Sequence, residues 1–158
     1  RNIPEGMRDS KKISPKKREV LYDKIMETAL VGIGKASVEE IDAINIRQAT
    51  FLAMTRAVEN LPTKPDFAFV DGRDIPYSLK IQAEPVIKGD DIVLSISAAS
   101  IVAKVTRDRL MGDLAEKYPH FAWERNAGYG TKAHQEGLVS FGITPHHRKS
   151  FAPIKKLL

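Results

Sequence analysis

Two carboxylates beside glycines are the residues of this chain best placed to do chemistry. Asp66-Phe67-Ala68-Phe69-Val70-Asp71-Gly72 is a short apolar run that ends on an acid and then a residue that lets the backbone turn sharply. A second apolar run, Pro85-Val86-Ile87, ends in Lys88-Gly89-Asp90-Asp91. An Asp at the end of a buried strand is costly unless a cation, a donor or water meets it. Strand ends are also where α/β folds mount their binding groups. If the two runs lie side by side, Asp71 and Asp90 could share a divalent cation, because hard cations take carboxylate oxygens. The ordinary alternative is a pair of turn-forming Asp and Gly residues.

The elements that must position these acids are legible from spacing. Ser14-Pro15 predicts a helix start, with Val20, Leu21, Ile25 and Met26 on its buried face. Leu30 to Ala36 alternates Val31 and Ile33 with Gly32 and Gly34, as a strand does. Ser37-Val38-Glu39-Glu40 is a capping box. The helix after it carries, from about Ile44 to Asn60, a small-residue stripe of Ile46, Ala49, Ala53 and Ala57, suited to close packing on a sheet, and a bulky one of Phe51, Met54, Val58 and Leu61. Residues 30–71 therefore read strand–helix–strand, the pattern of a parallel crossover. Leu79 to Ile87 predicts a further strand or hairpin.

A long helix from about Leu94 to Lys117 is apolar round most of its circumference. It leaves a narrow polar stripe of Ser97, Ser100, Lys104 and Arg107, which reads as a groove lining; a solvated face is the common alternative. Gly128-Tyr129-Gly130-Thr131 follows, with Thr131 as the cap of a helix to about Phe141.

The 158 residues suffice for one domain with a real core. Lys and Arg outnumber Asp and Glu by 25 to 20, an excess that allows a nucleic-acid partner without demanding one. Cysteine is absent, which excludes disulfides and thiolate chemistry. No apolar run approaches the roughly 18 residues of a membrane helix.

Taken in order, these stretches resemble the ribonuclease HII family. The resemblance rests on Arg8-Asp9-Ser10-Lys11-Lys12, Ser37 to Asp42 with Asn45-Ile46, Val70-Asp71-Gly72, Val86 to Asp90, Ser97 to Asp108, Gly128-Tyr129-Gly130-Thr131 with His134, and His147-Arg148 with Ser150-Phe151. It implies an α/β, RNase H-like fold with a mixed sheet flanked by helices. It implies a monomeric cytoplasmic endonuclease that cuts the RNA strand of RNA–DNA hybrids and nicks beside ribonucleotides embedded in duplex DNA. The cofactor implied is Mn²⁺ or Mg²⁺, two ions held by four carboxylates, of which Asp71 and Asp90 match two. Asp108 reads as structural.

The family's other two, an Asp-Glu pair ahead of a Gly-Arg-Gly motif on the first strand, do not occur in these 158 residues. The first three strands are expected to be missing with them. The expectation for the chain alone is accordingly nucleic-acid binding without cleavage.

Tyr129 matches the family tyrosine that packs on the sugar at the RNA–DNA junction; its alternative is a turn Tyr packed on its own domain. Ser10, Lys11, Lys12, Ser97, Ser100, Lys104, Arg107, Arg148 and Lys149 read as substrate-binding groups, most of them phosphate partners, against the alternative of solvated charge. His134, His146 and His147 lack metal-ligand spacing with a third ligand and read as structural or phosphate-side.

Overall fold

The computed structural model describes residues 6, 7 and 10–158. Arg8 and Asp9, part of the N-terminal motif, lie outside the described residues, as do residues 1–5. The chain forms two compact units. One comprises the segment up to Ala36 and Ile46–Val105; the other comprises Ser37–Asn45 and Thr106–Leu158.

In the first unit Ser10–Lys12 makes a 3₁₀ turn, and helix α1 spans Pro15–Thr28 with Ser14 as its N-cap. Leu21 and Ile25 join Ile13, Ile101 and Val102 in a buried cluster. Val20 and Met26, expected on that face, are exposed instead. The buried line runs 18, 21, 25, one helical stripe on which positions 20 and 26 do not fall.

Residues 30–36 correct a second expectation. They are extended but join no ladder among the described residues. Helix α2, Val38–Glu59, satisfies their carbonyls by side chains: Asn60, just past its end, donates Nδ2–H to Ile33 O (2.8 Å), and Arg56 donates to Lys35 O (2.8 Å). Val31 and Ile33 pack on the core while the glycines between them meet the small-residue stripe of α2. A Cβ on Gly32 would lie 2.1 Å from Ala57 O, and one on Gly34 would lie 2.0 Å from Ala53 O. The alternation thus encodes close approach to a helix, not a sheet edge. The capping box forms as expected, with Ser37 N–H on Glu40 Oε2 (2.8 Å) and Glu40 N–H on Ser37 Oγ (3.2 Å). Asn45, at φ 67°, breaks the helical geometry inside α2.

Strands β1 (Phe67–Asp71) and β2 (Gln82–Val86) pair in parallel, with Phe67 opposite Gln82 and Asp71 opposite Val86. Gly72 N–H extends the ladder to Val86 O (3.0 Å). The ten-residue connection holds no helix. Buried Pro76 and a Thr55–Ser78 hydroxyl bond (2.7 Å) pin it down. Val70 is buried, whereas Phe67 and Phe69 on the other face of β1 are exposed. A short helix α3, Gly89–Ile92, leads into α4, Leu94–Lys117, whose residues serve both units.

The second unit adds a 3₁₀ turn at Pro119–Phe121 and helices α5 (Trp123–Asn126), α6 (Lys132–Phe141) and α7 (Ala152–Lys155). Met111, Ala115, Phe121, Trp123, Leu138 and Ile154 form its core.

Gly34→Ala is expected to destabilise the protein by about 1–3 kcal/mol through overpacking. Gly112→Ala, where a Cβ meets nothing within 4 Å, is expected to stabilise α4 by about 0.5–1 kcal/mol. Urea midpoints of the two variants check this; equal midpoints would count against the close approach.

Candidate functional site

The parallel ladder delivers Asp71 at the C-terminal end of β1, and the turn after β2 comes back to meet it. Asp71 Oδ1 accepts the backbone N–H of Gly89 (2.9 Å), the residue immediately before Asp90. That turn needs Lys88 in the left-handed region, at φ 55°. It also needs a glycine at 89, where a Cβ would fall 2.4 Å from Ile96 Cδ1. Asp71 is exposed and Asp90 half-buried. Ser97 Oγ donates to the carbonyl of Asp90. The first turn of α4 therefore fixes the backbone that carries the second acid.

This changes the reading of the serine stripe. Ser97, expected to line a groove, is 2% exposed and holds the Asp90 turn. Ser10 is buried, and its oxygen accepts the hydroxyl of Ser100 (2.8 Å). Burial leaves Ser10 and Ser97 anchoring the fold in this conformation. Lys104 is half-buried and Arg107 exposed. Lys11 and Lys12 lie on the surface, with Lys12 paired to Asp91 at 2.5 Å. Such an exposed pair contributes little to stability, and it keeps an ammonium beside the Asp90 turn.

The donor chemistry at Asp71 and Asp90 fits a hard divalent cation, since both present carboxylate oxygens. Asp71 commits only Oδ1 to the protein among the described residues. No group of three His, Cys, Asp or Glu comes together among those residues.

In the second unit Tyr129 stands on a loop fixed through its backbone. Tyr129 N–H reaches Asn126 O (2.8 Å), Gly128 N–H reaches Asn126 Oδ1 (2.9 Å), and Thr131 N–H reaches Tyr129 O (2.8 Å). The ring itself is 69% exposed. Arg107 donates weakly to Ala127 O (3.4 Å) at the base of the loop.

Arg148 and Lys149 sit on a turn clamped by Asp42. Its carboxylate accepts Lys149 N–H (2.8 Å), Ser150 N–H (3.0 Å) and Ser150 Oγ–H (2.5 Å). The Ser150 bonds hold its pKa below the usual carboxylate range. Spacing alone did not single out Asp42, Asn126 or Thr144. An Asp within a helix and an Asn two residues before a Gly are ordinary in sequence, and only the bonds they make in the fold distinguish them.

His134 and His147 are both buried, and their Nε2 atoms lie 3.1 Å apart. Burial, with His134 close by, pushes His147 down to about 4.

Fold and site together define a helix-rich α/β protein with a carboxylate pair at the end of a small parallel sheet. The family model for Ribonuclease HII matches residues 4–154. The Ribonuclease HII of Ruegeria pomeroyi is 56% identical over 156 residues, covering 99% of this chain and 67% of that protein. That of Magnetococcus marinus is 52% identical, covering 99% and 75%. The crystal structure of the ribonuclease H2 from Pyrococcus horikoshii superposes with a TM-score of 0.79 at 24% identity, over 96% of this chain and 80% of that one. The ribonuclease HII of a PCNA complex from Archaeoglobus fulgidus gives 0.69 at 28%, over 90% and 77%. The chain belongs to the ribonuclease HII family, and by family it is a ribonuclease H. No helix among the described residues is long and apolar enough to cross a membrane.

The histidine pair makes stability depend on pH. His147 ordinarily titrates near 6.5 but near 4 when folded, so the unfolded chain binds the extra proton between those values. The contribution is complete above about pH 6.5 and falls as the pH drops toward 4, by at most about 3 kcal/mol. The titratable neighbours are His134 and His146, with Glu39 beyond His146. Urea unfolding at pH 7 and pH 4.5 is expected to show this loss. His147→Gln should shrink it, and an identical pH dependence in that variant would refute the assignment.

Proposed function

We propose that the chain supplies the strand-end half of an endonuclease site. The enzyme hydrolyses the RNA strand of RNA–DNA hybrids and cuts beside single ribonucleotides in duplex DNA, leaving a 5′-phosphate and a 3′-hydroxyl. The observation that carries this reading is the bond from Gly89 N–H to Asp71 Oδ1, which sets Asp71 beside the Asp90 turn. Asp71 and Asp90 would hold divalent metal, Mg²⁺ or Mn²⁺. Bound there, such ions supply an activated water and a counter-charge for the leaving oxygen. Two carboxylates offset only part of the charge of two such ions, so they serve as part of a four-carboxylate set.

The chain's own groups divide the remaining work. Lys11, Lys12, Lys104, Arg107, Arg148 and Lys149 attract the phosphate backbone, which sets affinity and register without reading sequence. The exposed ring of Tyr129, between two glycines, packs on the sugar at the ribonucleotide and orients it. Ser10, Ser97 and Ser100 hold the elements that carry the acids, and any contact they make with substrate follows from that placement.

The test is cleavage of a duplex holding one ribonucleotide, with Mn²⁺ or Mg²⁺ present, by a protein that carries the family's Asp-Glu strand ahead of these residues. Asp71→Asn and Asp90→Asn are each expected to reduce the rate by at least about a hundredfold while duplex affinity holds. Binding without cleavage when both acids are intact would favour a nucleic-acid-binding role instead. Affinity should fall with salt at a log–log slope of about −2 to −4, for two to four phosphate contacts. A flat titration would remove the electrostatic part of the reading.

A further inference from the structure

Tyr129 is 69% exposed, so the position of its ring depends largely on its backbone. One side-chain group bonds that residue's own backbone. His134 Nδ1 lies 3.0 Å from Tyr129 O. His134 Nε2 in turn faces His147 Nε2 at 3.1 Å, and His147 Nδ1 lies 2.9 Å from Thr144 N. A donor at one end, Thr144 N–H, and an acceptor at the other, Tyr129 O, permit one arrangement of protons. Thr144 N–H can only donate, so His147 Nδ1 is bare and its proton sits on Nε2. That N–H donates to His134 Nε2, which leaves the proton of neutral His134 on Nδ1, aimed at the Tyr129 carbonyl. Trp123 Nε1–H also points at His134 Nε2, at 3.4 Å, and agrees with an acceptor there.

We propose that His134 and His147 are positioning residues for Tyr129: a neutral imidazole pair, locked in one tautomeric sense, that fixes the Tyr129 carbonyl relative to the turn carrying Arg148 and Lys149. This rests on the reading of Tyr129 as the sugar-packing group. His147 immediately precedes Arg148, and Asp42 clamps the next two residues. The pair therefore links a phosphate-side turn to a sugar-side loop across 13 residues of sequence.

An ordinary buried histidine pair would only stabilise the core. A positioning pair also sets where the ring stands, and displacement of such a group costs rate more than affinity. Both imidazoles must be neutral. A proton on His147 Nδ1 would face the Thr144 amide, and one on His134 Nε2 would face the proton of His147. Facing them are His146 and the rings of Phe121 and Trp123, with Tyr118 and Glu39 beyond His146. Among the described residues no carboxylate bonds either imidazole.

Long-range ¹H–¹⁵N spectra of the histidines in the intact protein, at pH 7.5, read the tautomers directly. The expected result is a proton on Nδ1 of His134 and on Nε2 of His147; the opposite tautomer at either residue overturns the proposal. In the kinetic arm, His134→Phe keeps the ring and removes both nitrogens, whereas His134→Asn keeps a donor at the Nδ1 position. His134→Phe is expected to lower kcat at a single embedded ribonucleotide about ten- to a hundredfold, with duplex affinity unchanged. His134→Asn should recover most of that loss, and it keeps the test alive if His134→Phe does not fold.

Tyr129→Ala separates the two readings. If it leaves kcat intact, the role of Tyr129 itself fails. If it lowers kcat but His134→Phe adds its full effect on top, Tyr129 stands and the positioning role falls. The expected double variant is no slower than Tyr129→Ala alone.

Discussion

The bond from the Gly89 amide to the Asp71 carboxylate is the interaction on which the candidate site depends. The β1–β2 ladder sets the strands in register, and its last rung is Gly72 N–H on Val86 O. Beyond that rung the Asp71–Gly89 bond continues the connection into the turn that carries Asp90. The turn is built at a cost. Lys88 takes a left-handed conformation, unfavourable by about 1–2 kcal/mol for a residue with a Cβ. Its surroundings over-determine that geometry: Ile96 closes on Gly89 from α4, and Ser97 bonds the Asp90 carbonyl. The two acids are thus placed by backbone and packing, and Asp71 commits only Oδ1 to the protein among the described residues.

The second unit solves a different problem, that of placing a largely exposed ring through its backbone. Its means is a buried polar chain. An imidazole out of water is costly unless its nitrogens are paired, and here all four nitrogens of His134 and His147 have partners. The aromatic shell of Phe121 and Trp123 lowers the local polarity and strengthens those bonds. Such a chain tolerates little displacement, because moving one member unpairs the next.

The parts of the fold legible in the sequence were those set by local chemistry. The Ser14 and Thr131 caps, the Ser37–Glu40 box and the strand ending on Asp71 depend on residues within a few positions of one another. What was not legible depends on distant partners. Val31 and Ile33 alternate with glycines as a strand would, yet the glycines serve an approach to Ala53 and Ala57. Ser97 lies on the polar stripe of α4 by periodicity, but burial by the Asp90 turn makes it an anchor. His134 and His147 lacked the spacing of metal ligands because each is the other's partner, 13 positions away. The two acids could be singled out in sequence because Asp71 directly follows an apolar run and Asp90 lies three residues past another. The bond from Gly89 N–H to Asp71 was not, since a backbone amide leaves no trace in a sequence.

Strand alternation adds a constraint on how anything can reach Asp71. Val70 and Ala68 point to the packed side of the sheet, so Asp71 must share the opposite face with Phe67 and Phe69. Those two rings meet edge to face at 5.2 Å and are nearly half exposed, at 43% and 47%. Gln82 and Glu84 stand opposite them on β2 and are exposed as well. The acid therefore ends an open face on which two aromatic rings stand beside polar side chains. A carboxylate in that setting keeps its water until something displaces it. Apolar surface beside it lowers the cost of closing that face over, whereas the charge raises the cost of doing so without a cation. The same alternation that exposes the rings thus leaves Asp71 open to approach on that face, as the proposed reaction requires.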